Sequence, residues 1–248
     1  MFTQAELKRA RSLRDKKGRG THGRFLVQGL KQVIELIASE RPYDVIYATD
    51  TAALQLPMAQ VTVVPHHDMD RLGTLESGNE VVAVVPFLPQ ADMEPAGAGE
   101  LILALDGVSD PGNVGTILRV ADHFGVRRVL LSAHCADEYN PKCVQASMGA
   151  LLRVRTRSVD LPQALSALAA SGAAIYRAEV NGGIVFHEQL RRPAVLILGS
   201  ESHGITSEVQ GVGGTPISIP NLGGAESLNV GMAASALCME FARQAEVR

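Results

Sequence analysis

Three stretches of this 248-residue chain gather side chains able to act on a bound ligand. Residues 105–119 carry Asp106, Asp110, Asn113 and Arg119, residues 197–204 carry Glu201 and His203, and residues 219–231 carry Glu226, Ser227 and Asn229. Each also holds glycines, which let a ligand approach the main chain closely. Arg119 stands six positions after Asn113, slightly under two turns along one predicted helix. A guanidinium is a rigid fork of donors with a permanent positive charge. It is a poor general base, and suits gripping a phosphate or stabilising a developing oxyanion. Ser227 and Asn229 open another predicted helix, so the Ser227 hydroxyl serves either a ligand or the helix N-cap.

Several common chemistries are excluded. No G-x-x-x-x-G-K-[ST] occurs, and no G-x-G-x-x-G follows a predicted strand, which removes the P-loop and the usual dinucleotide fold. A G-x-S-x-G nucleophile elbow is absent as well. His66 and His67 are adjacent, and on a strand they would face opposite ways; His203 beside Glu201 lacks a third donor. No metal site is expected. Cys135, Cys143 and Cys238 show no CxxC spacing, as expected of reduced thiols in a cytoplasmic protein.

The elements that must position these residues alternate along the chain. Residues 101–105, 129–132, 152–156, 174–178, 195–198 and 217–219 read as strands. Helices are predicted over 113–124, 141–149, 161–171 and 227–244. This is an α/β pattern with a mostly parallel sheet, and ligands bind outside the carboxyl ends of such strands, where the three stretches fall. A smaller α/β unit precedes it, with strands at 24–28, 44–48, 61–64 and 80–85 and a helix over 30–38. Between them, residues 86–99 are dense in Pro, Ala and Gly, which break both periodicities. The expected division is a domain over 1–88, a linker over 89–99 and a second domain over 100–248.

Charge is uneven. The chain is 46% hydrophobic and 20% charged with a net charge of -3, ordinary for a globular protein. No clean apolar run exceeds the five residues of 81–85, far too short for a bilayer, and no signal core precedes it. Yet residues 1–31 hold nine Lys and Arg against two acids. Such a concentrated positive arm marks a polyanion binder, and Lys8, Arg9, Arg11, Arg14, Lys16, Lys17, Arg19 and Arg24 are the candidate contacts. Arg153, Arg155 and Arg157 alternate, which on a strand puts them on one face, as a phosphate rail or a charged edge.

Taken together, Asn113-Val-Gly-Thr-Ile-Leu-Arg119, Leu198-Gly-Ser-Glu-Ser-His-Gly204 and Ile219-Pro followed by Glu226-Ser-Leu-Asn-Val230 resemble, in order, the three motifs of the SpoU (TrmH) RNA methyltransferases, members of the trefoil-knotted SPOUT class. Ser147-Met-Gly-Ala150 fits the same pattern, and Phe25-Leu-Val-Gln-Gly29 is similar to the family's substrate-binding domain, itself like a ribosomal RNA-binding protein. Gln28 departs from the Glu common there. The resemblance spans essentially the whole chain. It implies transfer of a methyl group from S-adenosylmethionine to a ribose 2′-hydroxyl of RNA, ribosomal RNA before transfer RNA, with a base-modifying knotted enzyme or a noncatalytic RNA binder as alternatives. It also implies a deep carboxyl-terminal knot and a homodimer packed partly through the last helix. Leu228, Met232, Ala236, Met239 and Glu240 fall at helical spacing there, the apolar ones suiting a core or a dimer seam. By the family pattern, Gly199, Ile219, Leu228 and Asn229 surround the cofactor. Arg119 is the catalytic group, as base or as charge stabiliser, with Asn113, Glu201, Ser227 and Asn229 orienting it and the ribose.

Overall fold

The computed structural model describes residues 3–57, 60–74 and 79–246. Two sheets account for its layers. The first is mixed, in the order β1 (Arg24–Gln28), β4 (Val81–Pro86), β2 (Val45–Ala48), β3 (Val61–Val63). Its helices are α1 (Gln4–Ser12), α2 (Lys16–His22), α3 (Leu30–Ala38), α4 (Asp50–Ala53) and α5 (His66–Leu72). Strand alternation supplies both faces: Phe25 and Val27 pack with Val33 and Leu36, whereas Leu26 packs with Leu7, Ala10 and Leu13 of the amino-terminal segment. The basic segment is therefore no free arm. It is anchored through an apolar face, with its Thr3–Glu6 capping box closing the start of α1.

His66 and His67 begin α5 instead of lying on a strand, because Pro65 supplies a fixed φ at the N-cap. Gln28 is buried, and its amide both accepts from the Thr74 N–H (2.8 Å) and donates to the Thr74 Oγ1 (2.6 Å). An ionised Glu there would have no proton to donate.

The second sheet is wholly parallel, in the order β10 (Thr215–Ser218), β8 (Ala174–Ile184), β9 (Ala194–Gly199), β5 (Leu101–Asp106), β6 (Arg128–Leu131), β7 (Arg155–Ser158). Leu101, Leu103 and Leu105 face α6 (Pro111–His123), α7 (Pro141–Ser147) and α10 (Val230–Glu246), while Ile102 and Ala104 face α8 (Leu161–Ala170) and α9 (Ser207–Gln210). Burial on both sides explains the unbroken apolar runs of the central strands.

The structure departs from the sequence reading in several places, β8 among them, which runs on past 178 to Ile184. Residues 150–152 form a 3-10 turn, since Met148 and Gly149 are both left-handed and Leu151 and Leu152 drop into the core; β7 starts only at Arg155. Arg153 is thus off the strand and shares no rail with Arg155 and Arg157. The last helix begins at Val230, after Ser227. The segment 86–99 is laid against β7: Ala91 N–H donates to the Thr156 carbonyl (2.9 Å), and Arg157 donates to the Ala91 carbonyl (3.2 Å).

The two sheets share packing. Phe25 and Phe87 flank Tyr139, with ring centroids 4.7 and 4.4 Å away, and burial pushes the Tyr139 hydroxyl up to about 12. Arg19, only 2% exposed, reaches Asp137 at 2.6 Å. Among the described residues, no helix is long and apolar enough to cross a membrane.

Candidate active site

Each of the three stretches leaves the sheet at a strand's carboxyl end and is held there locally. Asp110 caps α6, its Oδ1 accepting from the Asn113 N–H (3.0 Å), and Pro111 provides the first-turn φ. The Lys142 ammonium, 2.6 Å from Oδ2, holds the Asp110 carboxyl below the usual carboxylate range. The loop after β9 is closed by a two-way pairing of Ser200 with Gly204. Buried Asp106 then ties it to β5, accepting from both the N–H and Oγ1 of Thr206 at 2.8 Å. Gly199 is required here, because a Cβ would stand 2.3 Å from the Gly204 carbonyl carbon.

The three loops meet at one cluster. Glu201 Oε1 accepts from Asn113 Nδ2 (3.0 Å) and Asn229 Nδ2 (2.6 Å), and Asn229 Nδ2 also reaches Asn113 Oδ1 (3.0 Å). The other end of the Asn229 amide caps α10, Oδ1 accepting from Gly231 N–H at 2.9 Å. Capping therefore falls to Asn229. Ser227 lies exposed in the preceding loop, and its hydroxyl makes no hydrogen bond among the described residues.

Arg119 lies on another side of α6. It is exposed, without a hydrogen bond or ion pair among the described residues, so Asn113, Glu201 and Asn229 clasp one another and do not hold its guanidinium. It faces a cavity of about 520 Å³ between α6, α10 and α3, lined also by Lys31, Thr116, His123, Met232 and Ser235. Close approach of α10 to α6 needs Gly231, whose Cβ would stand 2.8 Å from Thr116 Cγ2. The helical spacing of Thr116 and His123 about Arg119 was a signal available in the sequence; nothing there connected Lys31 to it.

The expected cofactor residues gather near the same loops. Gly199 ends β9 beside Asp106, Ile219 follows β10 half-buried against the core, and Leu228 precedes Asn229 with 46% of its surface exposed. The expected RNA contacts are dispersed. Lys8, Arg9, Arg11, Lys16 and Lys17 are exposed on α1 and α2. Arg14 donates to the Arg71 and Gly73 carbonyls, and Arg24 pairs with Asp44 at 2.7 Å. Arg19 is not a surface contact: burial and its bonds to Asp137, Leu13 and Arg14 spend its donors inside the protein. Arg153 binds Asp122 (2.9 Å) and Glu35 (3.4 Å), and Arg155 is exposed.

On the last helix, Met232 and Met239 are 62% and 61% exposed, so they are not core; Val230, Ala234, Leu237, Cys238 and Phe241 form its buried face. Leu228 lies before the helix, and Glu240 is buried with its carboxylate on Arg243 and Gln244.

Comparison with known proteins places this arrangement. Residues 100–239 match the model of the SpoU rRNA Methylase family, and residues 4–83 match the MRM3-like substrate binding domain. The 23S rRNA (uridine(2479)-2'-O)-methyltransferase of Streptomyces viridochromogenes is 32% identical over 75% of this chain and 67% of its own length. The 23S rRNA (guanosine(2553)-2'-O)-methyltransferase RlmP of Bacillus subtilis is 27% identical over 92% of both chains. The crystal structure of the SpoU methyltransferase AviRb from Streptomyces viridochromogenes, in complex with the cofactor AdoMet, superposes with a TM-score of 0.87 at 27% identity, covering 98% of this chain and 99% of that one.

Proposed function

This chain belongs to the SpoU rRNA methylase family, and from that membership we propose that it transfers the methyl group of S-adenosylmethionine to a ribose 2′-hydroxyl of ribosomal RNA. The observation that carries the reading is the Asn113–Glu201–Asn229 cluster, drawn from three distant stretches, with an uncommitted Arg119 further along the same helix as Asn113. Side chains that bind one another so closely at strand ends, with a free cation on the helix that leaves them, suit a preorganised reaction site.

The residues present fit the cofactor. Gly199 lets the loop after β9 fold tightly back on the strand end, where Gly204 and Ile205 take the place of a side chain, and Leu228 and Leu222 stand exposed on the loop after β10, apolar surface that an adenine would cover. When bound, S-adenosylmethionine supplies an electrophilic methyl group on a sulfonium that leaves as a neutral thioether. Gly199, Ile219, Leu228 and Asn229 would hold it. Arg119 grips the phosphate next to the target ribose and stabilises charge growing on the 2′-oxygen as its proton passes to water. A guanidinium keeps its charge at neutral pH, so Arg119 acts as a charge and not as a base. The Glu201 clasp keeps the loops in register, so that hydroxyl and methyl group are held in line. Ser227 adds a hydroxyl on the ribose side.

The reading includes residues 1–88 as an RNA-binding domain, 89–99 as a linker and 100–248 as the catalytic domain, supported by the two separate sheets. The first domain is similar to a ribosomal RNA-binding protein, and Lys8, Arg9, Arg11, Lys16 and Lys17 offer it exposed charge. A deep trefoil knot follows β9. Its support is the chain path, since β10 pairs beyond β8 at the sheet edge while α10 returns to pack on α6 and β9. The exposed Met232 and Met239 support a homodimer through α10. Free Cys135, Cys143 and Cys238 suit the reducing cytoplasm.

The test is incubation of the purified protein with methyl-labelled S-adenosylmethionine and a 23S rRNA transcript, followed by nucleoside mass spectrometry. A 2′-O-methylnucleoside is expected. Label on a base, or none on any RNA, overturns the proposal.

A further inference from the structure

Beyond the far end of α6 lies a second cleft, of about 370 Å³, into which Arg41, Arg127 and Arg155 converge. They come from three separate segments: after α3 in the first domain, the turn from α6 to β6, and the first residue of β7. The acids around them are already engaged. Buried Arg128 donates to both Glu100 oxygens at 2.7 Å and to Asp92 Oδ1 at 2.8 Å, while Arg153 takes Asp122 and Glu35. Arg41 and Arg127 have no side-chain hydrogen bond or ion pair among the described residues, and Arg155 has only Asp92 at 3.8 Å. Three guanidinium groups with free donors thus face one concavity, an arrangement that repels itself until an anion enters.

The cleft adjoins the cavity of Arg119. Arg153 lines both this cleft and the cavity of Arg119. Four residues of α6, ~6 Å at ~1.5 Å per residue, separate Arg119 from the helix end at His123, and Arg127 lies in the turn beyond it.

We propose that this cleft binds the phosphodiester backbone of the substrate RNA, so that the strand runs from Arg119 along α6, between the domains, to Arg41, Arg127 and Arg155. The proposal rests on the RNA methyltransferase reading and adds where the strand goes. A string of phosphates fits better than one small anion, because the three arginines come from both sides of the domain junction and the cleft adjoins the cavity of Arg119, with Arg153 in the wall of each. Planar guanidinium forks match phosphate oxygens and carry no base preference.

The test compares the full-length protein with the triple variant Arg41→Gln, Arg127→Gln, Arg155→Gln, using the 23S rRNA transcript and a 20-nucleotide oligouridine as probes. Affinities are measured across a salt series. The variant is expected to bind both probes about tenfold more weakly, with the slope of log affinity against log salt shallower by ~0.7 per lost contact. The loss should appear in KM for the transcript, with affinity for S-adenosylmethionine kept, and Arg→Lys at the three positions should restore the slope. Unchanged affinity and slope overturn the cleft. If the triple variant unfolds, Arg41→Gln and Arg127→Gln singly carry the same measurement, since neither side chain has a partner to lose. A wild-type protein that transfers no methyl group overturns the functional reading instead, and the binding slopes still decide the cleft. Weakening on an acidic peptide probe, with none on either RNA, assigns the cleft to a protein partner and overturns the proposal.

Discussion

Glu201 Oε1 stands 2.6 Å from Asn229 Nδ2, which joins the loop after β9 to the cap of the last helix across the whole of β10. The same oxygen holds Asn113 at the start of α6, so one carboxylate sets three loops. Glu201→Ala is expected to slow single-turnover methyl transfer by about 10- to 100-fold through lost alignment. Glu201→Gln, which keeps an acceptor, should recover part of it. Full activity in the alanine variant would remove the clasp from the mechanism.

Among the described residues Arg119 has no structural partner to lose. Arg119→Ala should therefore leave the melting temperature and cofactor affinity in place and cut the rate at least ~100-fold, as for removing a group that stabilises transition-state charge. Calorimetry with S-adenosylmethionine and a single-turnover assay measure the two quantities separately. A near-normal rate would show that the charge acts elsewhere.

Arg19 reports on how the two sheets are joined. With its guanidinium buried and 2.6 Å from Asp137, Asp137→Ala strands a charge and should cost about 3–5 kcal/mol in urea unfolding. Replacing both partners by apolar residues should cost less than that single change. Equal losses in the two variants would mean the pair contributes nothing beyond its packing.

Glu138 gives the protein a pH dependence with a definite sign. Burial raises its carboxyl above the usual carboxylate range, against a 3.2 Å hydrogen bond from Thr156 that lowers it. The folded chain therefore binds this proton more tightly than the unfolded chain, and stability drops as pH rises through the folded value. Glu138→Gln keeps an acceptor for Thr156 and removes the ionisation. Its melting temperature should exceed that of the wild type at pH 7.5, with the difference shrinking toward pH 4. A difference independent of pH would show that this ionisation does not load the fold.

Much of the chemistry was legible one residue at a time. Asn113, Arg119, Glu201 and Asn229 stand in local patterns, and the double burial of β5 and β9 writes itself as unbroken apolar runs, so strand type and loop position follow from periods of a few residues. Residues whose partners are distant in sequence were less legible. The basic amino-terminal segment reads as a uniform arm, yet Leu7, Ala10 and Leu13 pin it and Arg19 is consumed by a carboxylate 118 positions away. Arg153 reads as one of three alternating arginines, and two left-handed residues before it turn it off the strand.

The central strands, the main helices, the motif order and the family membership that names the chemistry were legible along the chain, because these depend on near neighbours. Folding alone brought one carboxylate onto three loops, left Arg119 without a partner among the described residues, and set Arg41 and Arg127 in a cleft with Arg155. Those facts rest on distances between side chains far apart in the chain, which packing sets and spacing does not encode.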